Sequence, residues 1–296
     1  WESFSTDTAQ AAGLQSVTVD VDADATVQTE SNSSSSASAD NVTGDSGASS
    51  TTTFNSGLQA VDAVVGNPGT TNTFDVSADA GIQGVAGTTA ASSASTSKGE
   101  ANAFTTLADS AGIQDVTSLK VGGEMSALGQ SMNSLSADAE SVDGDAIGQS
   151  QLSNKVEGLE SNVIDVSSDA GIQGLAQLGN SAAASTTKGA STATADVEDL
   201  QGADLDALEV GGVASVTGQV SLTNAAASSN VEGGTSTATA DIAKSGTGGT
   251  GIQGLTADAT RFAASTDSGV YSTAGVDVSS DGTLTGLASI SNSASA

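Results

Sequence analysis

Residues 75–84, Asp-Val-Ser-Ala-Asp-Ala-Gly-Ile-Gln-Gly, form the string that decides the fold, because the chain repeats it. Residues 165–174 read the same with one change, Ser168 in place of Ala78. The two copies align without a gap as far as the Lys-Gly pairs at 98–99 and 188–189. A string this long that returns after 90 residues indicates a chain built from stacked structural repeats.

A shorter motif within this string recurs along the chain. The pattern Gly, then Ile or Leu, then Gln begins at Gly13, Gly57, Gly81, Gly112, Gly171 and Gly251, and a degenerate copy begins at Gly282. Gly112 follows Gly81 by 31 residues. This spacing predicts a unit of about thirty residues, hence about ten coils, with a turn at the first glycine of each motif. Insertions are expected near the N-terminus and around 220–250.

The residue types favour strands over helices. Gly, Ser, Thr and Asp dominate every window and lower helix propensity. The chain has a single Pro, which leaves continuous strand pairing possible. The sequence therefore predicts an all-β chain folded as a parallel β-helix-like solenoid, with an antiparallel β-sandwich as the alternative. The predicted core is a column of branched aliphatic residues, Leu14, Leu58, Ile82, Ile113, Ile172, Ile252 and Leu284.

Composition removes most function classes. The 296 residues include 35 acidic and 6 basic side chains, no His and no Cys. The chain therefore lacks an imidazole base, a thiolate nucleophile and a disulfide. A net charge of −29 repels a phosphate backbone, so nucleic acid is not expected as a partner. No run of large apolar residues is long enough to cross a bilayer, and no enzyme activity is expected.

The two ends of the chain suggest a domain layout and a location. We expect residues 1–30 to form an N-terminal arm or cap strand and residues 31–296 to form one solenoid domain. The sequence starts at Trp rather than Met, which is typical of a secreted protein whose leader has been removed. The N-terminal residues predicted to take part in self-assembly by strand addition are Trp1, Phe4, Val17, Val19 and Val21.

Pairs of aspartates recur at the predicted turns. They are Asp75 and Asp79, Asp165 and Asp169, and Asp277 and Asp281. Clustered carboxylates suit Ca²⁺, whereas a solvated acidic face is the alternative. No cofactor is expected apart from this candidate calcium ion.

The function expected from these features is structural. The sequence ends in the same strand-like pattern, without a polar cap, and exposed strand edges favour end-to-end stacking. We therefore expect a secreted subunit of an extracellular filament or surface layer, whose partner is a second copy of itself. The alternatives are a cell-surface adhesin or passenger-type solenoid, which would contact a cell surface or glycan, and a viral tail fibre.

Overall fold

The computed structural model describes residues 2–15, 19–59, 73–116, 118–242, 252–257 and 275–296. The described residues form strands that pair in parallel within two sheets. Sheet A contains the long strands β1 (Ser3–Gln15), β4 (Ser46–Gln59), β7 (Ala101–Val116), β10 (Ala146–Val166) and β12 (Ser191–Val210). Its short strands are β2 (Val19–Val21), β5 (Thr73–Val76), β8 (Ser118–Val121), β14 (Ser236–Ile242), β15 (Ile252–Ala257) and β16 (Gly275–Val278).

Sheet B contains six strands stacked in chain order. They are β3 (Ala25–Asn41), β6 (Ala80–Lys98), β9 (Met125–Asp143), β11 (Ala170–Lys188), β13 (Ala214–Asn230) and β17 (Gly282–Ser295). The chain runs along a strand of sheet A, turns, and returns along a strand of sheet B. The parallel β-solenoid predicted from the sequence is confirmed, and the pairing within both sheets is parallel, not antiparallel.

The coil is longer than the thirty residues predicted. Ala146 pairs with Ala101 on one side and with Ser191 on the other, so neighbouring coils are 45 residues apart. The spacing of 31 measures the step from Gly81 in sheet B to Gly112 in sheet A, because the motif occurs on both sheets. The 90-residue repeat therefore spans two coils, and among the described residues sheet B has six strands, fewer than the ten coils predicted.

Two successive coils have different types of turn between sheet A and sheet B. One type reads Ser77-Ala-Asp79, and the next coil reads Gly122-Gly-Glu124. The Glu124 N–H donates to Asp79 Oδ1 at 2.9 Å. A Cβ at Gly123 would lie 2.2 Å from the same carboxylate oxygen. The Asp79 carboxylate thus occupies the space that Gly123 leaves open, and Asp169 and Gly212 repeat this arrangement two coils later.

The opposite turns use glycine for its backbone conformation. Gly99, Gly144 and Gly189 have φ values of 126°, 151° and 126°, which side chains with a Cβ rarely adopt. By contrast, Gly81, which was predicted to occupy a turn, lies within β6.

The interior changes in thickness from one turn to the other. Large aliphatic residues such as Ile172 and Val210 fill the end near the Ser-x-Asp turns. A second cluster, which includes Leu152 and Leu178, fills the middle. Alanines, among them Ala139 and Ala193, fill the end near the positive-φ glycines. The low content of large apolar residues therefore suits a flattened coil whose sheets approach closely over much of their width.

A column of glycines marks the closest approach of the two sheets. We call it the glycine seam. Its members are Gly13, Gly57, Gly112, Gly158, Gly202 and Gly254 in sheet A, and Gly84, Gly129, Gly174, Gly218 and Gly286 in sheet B. A Cβ at Gly158 would lie 2.2 Å from Leu175 N and 2.4 Å from Gly202 O. Because the obstacles are backbone atoms of the facing sheet and of the next coil, a side chain at the seam would push the sheets apart.

A column of asparagines on sheet B forms hydrogen bonds between the sheets and between the coils. Asn180 Nδ2 donates to Asn224 Oδ1 at 3.0 Å, and Asn224 Nδ2 donates to Asn292 Oδ1 at 3.1 Å. Asn224 Nδ2 also donates to the main-chain carbonyl of Ala195 in the facing sheet at 2.9 Å. Such bonds offset the cost of burying amide groups.

The predicted aliphatic column is divided between the two sheets. Leu58 and Ile113 pair in sheet A, whereas Ile82 and Ile172 lie in sheet B, and these four share one buried cluster. Ile252 pairs with Leu200, which belongs to the middle cluster. Leu284 lies on the last strand of sheet B and is 49% exposed. Leu14 pairs with Leu58, and its side chain lies outside the described residues.

Candidate functional site

The end of the solenoid formed by β17 presents a strand edge and apolar side chains. In the described part of the chain, β17 pairs with β13 alone. Leu284, Leu287 and Ile290 are each about half exposed, at 49%, 50% and 50%. We call this end the C-face. Large apolar side chains along an unpaired strand edge are typical of a surface that binds another strand.

The opposite end is formed by β1, β2 and β3, and we call it the N-face. Among the described strands, β1 pairs only with β4, and β3 only with β6. Ala25 N donates to Asp79 O, which shows that the inward-facing residues of β3 direct their main-chain groups toward β6. Since main-chain groups alternate in direction along a parallel strand, the outward-facing residues of β3 direct theirs to the open edge.

The segment predicted to form an N-terminal arm or cap strand contributes β2 to the first coil. Val19 and Val21 lie in β2 and pair with Phe74 and Val76 of the next coil. The predicted domain boundary after residue 30 falls inside β3. Trp1 and Val17 lie outside the described residues.

Phe4 remains on the surface of its own molecule. It lies on β1 and is 67% exposed. Its ring covers Gly47 of the neighbouring coil, where an added Cβ would lie 2.7 Å from Phe4 Cδ1. The ring thus fills the space that Gly47 leaves open, and the predicted role in self-assembly stays a prediction.

The aspartates predicted to bind calcium have identifiable structural positions. Asp79 and Asp169 each accept a main-chain N–H of the next coil, from Glu124 at 2.9 Å and from Val213 at 2.8 Å. Asp75 and Asp165 lie on the strands before these turns. Lys120 pairs with Asp75 in register and with Asp165 on its other side, so positive charge separates the two carboxylates.

The remaining pair lies at the last coil. Asp277 lies on β16, and Asp281 follows at the turn before β17. The carboxylates that converge among the described residues belong to a different group, Glu157, Glu160 and Asp204, whose oxygens lie within 4.8 Å of one another. The calcium prediction for the turn aspartates therefore stays a prediction.

This group and Lys155 form a cluster on β10 and β12, which we call the Lys155 cluster. The Lys155 ammonium forms an ion pair with Glu157 and lies 3.4 Å from Glu160 Oε1. The side chain of Glu157 is 1% exposed, and that of Lys155 is 27% exposed. A register shift in β10 between Leu152 and Lys155 precedes the cluster. Sequence reasoning missed it, although a Lys-x-Glu string in a chain with six basic residues was a usable signal.

Burial controls the charge state of the Lys155 cluster. Burial raises the pKa of Glu157 well above its ordinary value, and the carboxylate of Glu160 adds to this effect, while Lys155 opposes it. Burial alone would lower the pKa of Lys155, but the carboxylates of Glu157 and Glu160 more than offset it and raise that pKa above its ordinary value. The ammonium therefore stays charged and provides the positive charge that the buried carboxylate needs.

We expect the protein to become more stable as the pH falls from 7 toward 5. Burial raises the pKa of Glu157, and also that of Asp109 and of Asp196. A carboxyl group whose folded pKa is raised contributes stability below its unfolded pKa, near 4, and loses it as the pH rises through the folded value. Denaturant midpoints at pH 5, 6 and 7 measure this trend. Glu157→Gln should flatten this trend, whereas Asp138→Asn, at an exposed site, should not. A denaturant midpoint that decreases as the pH is lowered from 7 to 5 would contradict the prediction.

A shallow groove of about 490 Å³ crosses the outer face of sheet B. It follows the column where Gly87 lies between Asn32 and Met132, because the glycine leaves a gap between longer side chains. Its lining residues are Asn, Ser, Thr, Gly, Met and Gln, without an aromatic side chain. The groove thus lacks the aromatic platforms on which sugars commonly stack.

Comparisons with known proteins add no relative. No protein-family model matches the sequence, and no curated protein and no solved structure matches it significantly. The described residues include no helix with the length and hydropathy of a membrane span.

Proposed function

We propose that this protein is the structural subunit of an extracellular filament or surface layer, in which the C-face of one copy stacks on the N-face of the next. The observation that carries the proposal is the match between the two faces. Ala25, Ala80, Met125, Ala170 and Ala214 each donate their N–H to the next coil at equivalent positions. Gly282 is the next residue in this series, because it pairs with Ala214. If Ala25 of a second copy pairs with Gly282, and so follows it in the column, both sheets continue from one copy into the next.

This register also joins similar side chains. Val27 would follow Leu284, and Ala37 would follow Ala294, which continues the aliphatic and alanine columns. Ser35 would follow Asn292, which adds a hydroxyl to the line of buried amides. Contact between copies would cover Leu284 and Ile290, which share the inward-facing positions of β17.

The expected contact area is sufficient for a specific interface. A strand of 19 residues such as β6 spans about 60 Å, and two packed sheets are about 10 Å thick. Each face thus offers about 600 Å², and a junction would bury about 1,200 Å² in total, which is the lower end of the range for specific protein interfaces.

The acidic charge makes stacking dependent on salt. Asp24 lies at the N-face turn and Asp281 at the C-face turn, so the proposed register brings these two carboxylates together. The chain already contains this arrangement, since Asp79 N donates to Asp24 Oδ1 at 3.3 Å. Ions screen such repulsion over about 8 Å at physiological salt and about 3 Å at 1 M. We therefore expect stacking to strengthen as salt is added.

The test uses a proline at the C-face. The N–H of Ala288 points away from β13, because Ala288 shares the inward-facing positions of Gly282 in β17. Ala288→Pro should therefore leave pairing with β13 intact and remove one donor from the open edge. Sedimentation and negative-stain microscopy should show filaments of the wild type in 1 M NaCl and single particles of Ala288→Pro.

Ala288→Ser is the matched control, because it changes the same residue and keeps the N–H. It should assemble like the wild type. Wild-type protein that stays monomeric at every salt concentration, with a strand-type circular dichroism spectrum, would contradict the filament and would favour a monomeric surface adhesin.

A further inference from the structure

One carboxylate points into the solenoid at the N-face. Asp7 lies on β1 and pairs with Ser50 of the next coil. Its column continues through Thr105, Ser150 and Ala195, which are all at most 1% exposed. Asp7 is thus a charged residue at the end of a column of buried hydroxyl groups and small side chains.

The equivalent hydroxyl groups connect the two sheets. Ser50 Oγ lies 2.6 Å from Ser35 Oγ, and Thr105 Oγ1 lies 2.8 Å from Ser92 Oγ. Asp7 makes a different contact, since its Oδ2 accepts the main-chain N–H of Ser36 at 2.8 Å. Ser36 is an outward-facing residue of β3, so this N–H belongs to the set that points to the open edge. Asp7 therefore accepts the hydrogen bond of a main-chain N–H that would otherwise pair with a second copy.

We propose that Asp7 is a latch that closes the N-face to a second copy, an inference that rests on the proposed stacking. In the proposed register, Asp7 would follow Ala240 of the preceding copy, because Ala195 pairs with Ala240 in the last coil of the column. Stacking would bury the carboxylate between that alanine and Ser50, with the Ser36 N–H taken by the preceding copy. A charge buried without a partner is costly, and inward-pointing charges are a common protection of strand edges. Assembly therefore requires Asp7 to leave this position.

Two substitutions separate the charge of the latch from its hydrogen bond. Asp7→Ser introduces a serine, the residue type that the same column has at Ser50 and Ser150. It removes the charge, and its shorter side chain cannot reach the Ser36 N–H. Asp7→Asn removes the charge and keeps an oxygen that can accept the Ser36 N–H. Asp138→Asn, on the exposed face of β9, makes the same change in net charge away from either end.

The first measurement is amide hydrogen exchange of the monomer at low salt, followed by NMR. In the wild type, the Ser36 N–H should exchange at least about tenfold more slowly than the edge amides of Ser34 and Ser38. Asp7→Ser should abolish this difference, and Asp7→Asn should retain most of it. Equal exchange at the three amides of the wild type would overturn the latch.

The second measurement is the lowest protein concentration at which filaments form in 1 M NaCl. Asp7→Ser should lower it about tenfold relative to both the wild type and Asp138→Asn. Filaments that form equally well in all of these proteins would overturn the latch and leave the filament intact. If neither the wild type nor Asp7→Ser forms filaments, the stacking proposal fails, and the role of Asp7 in controlling assembly fails with it.

Discussion

Gly174→Ala should destabilise the folded protein by more than about 4 kcal/mol, because it places a methyl group between backbones in contact. A Cβ at Gly174 would lie 2.0 Å from Gly202 O and 2.7 Å from Gly202 C in sheet A. Neither atom belongs to a side chain that could rotate away, so the sheets would have to separate at the glycine seam. Denaturant unfolding followed by circular dichroism measures the loss, and a variant that does not fold is the limiting case.

Gly171→Ala is the matched control, because both glycines belong to one Gly-Ile-Gln-Gly motif on β11. Gly171 faces outward, and a Cβ there meets only Met125 O at 3.8 Å. Its effect should stay within about 0.5 kcal/mol, as for an ordinary surface substitution. Equal effects of the two substitutions would show that the glycine seam does not hold the sheets at this distance.

Lys155→Met should cost about 3–5 kcal/mol at pH 7, because it leaves the carboxylate of Glu157 buried without its cation. The Glu157 side chain is 1% exposed and lies beside Glu160 and Asp204. The loss should be smaller at pH 5 than at pH 7, because burial raises the pKa of Glu157 and protonation, which removes the buried charge, becomes more favourable as the pH falls. The measurement is the unfolding free energy of the variant and of the wild type at both pH values.

Lys188→Met is the control for this prediction. Its ion pair with Glu232 spans 3.7 Å between side chains that are 60% and 54% exposed, and such pairs contribute about 0–1 kcal/mol. Lys155→Met combined with Glu157→Leu should recover most of the loss, because it removes the fully buried carboxylate together with its cation, whereas Glu160 and Asp204 are partly exposed. If Lys155→Met costs no more than Lys188→Met, the Lys155 cluster does not stabilise the fold.

The sequence predicted the architecture because repetition is visible without knowledge of the packing. A string repeated from 75–84 to 165–174, few large apolar residues and a single proline leave few alternatives to stacked coils. The coil length could not be read from the glycine motif, because a similar Gly-Ile-Gln motif lies on both sheets. The spacing between copies of the motif therefore combines the step from one sheet to the other with the step from one coil to the next.

The glycine seam was hidden for a related reason. In β11 the second glycine of the motif, Gly174, faces the other sheet, whereas the first, Gly171, faces outward. In β7 the first glycine, Gly112, lies at the seam, and Asp115 replaces the second. Which glycine touches a facing backbone depends on the register between sheets, and the local sequence does not contain that information.

The acidic residues show the same limit. The aspartates at the turns were recognisable as a repeated pattern, but their hydrogen bonds to the next coil depend on how coils stack. Asp7 and Glu157 resemble any other acidic residue in a chain that has 35 of them. Their special positions, at the open N-face and inside the Lys155 cluster, follow from the register of strands that are distant in sequence.

The most direct test of head-to-tail stacking uses two cysteines in a chain that has none. Ser34 and Ser291 face outward on β3 and β17, and the proposed register makes them neighbours on adjacent strands of two copies. Neighbouring strands are about 4.8 Å apart, a distance that a disulfide can bridge. Within one copy, five strand spacings separate them by about 24 Å, so an intramolecular bond is excluded.

Oxidation of the Ser34→Cys, Ser291→Cys double variant in 1 M NaCl, followed by non-reducing electrophoresis, should give a ladder of covalent multimers. Each single variant should remain a monomer on the same gel. A double variant that stays monomeric, or a Ser34→Cys single variant that forms dimers just as readily, would contradict stacking of the C-face on the N-face.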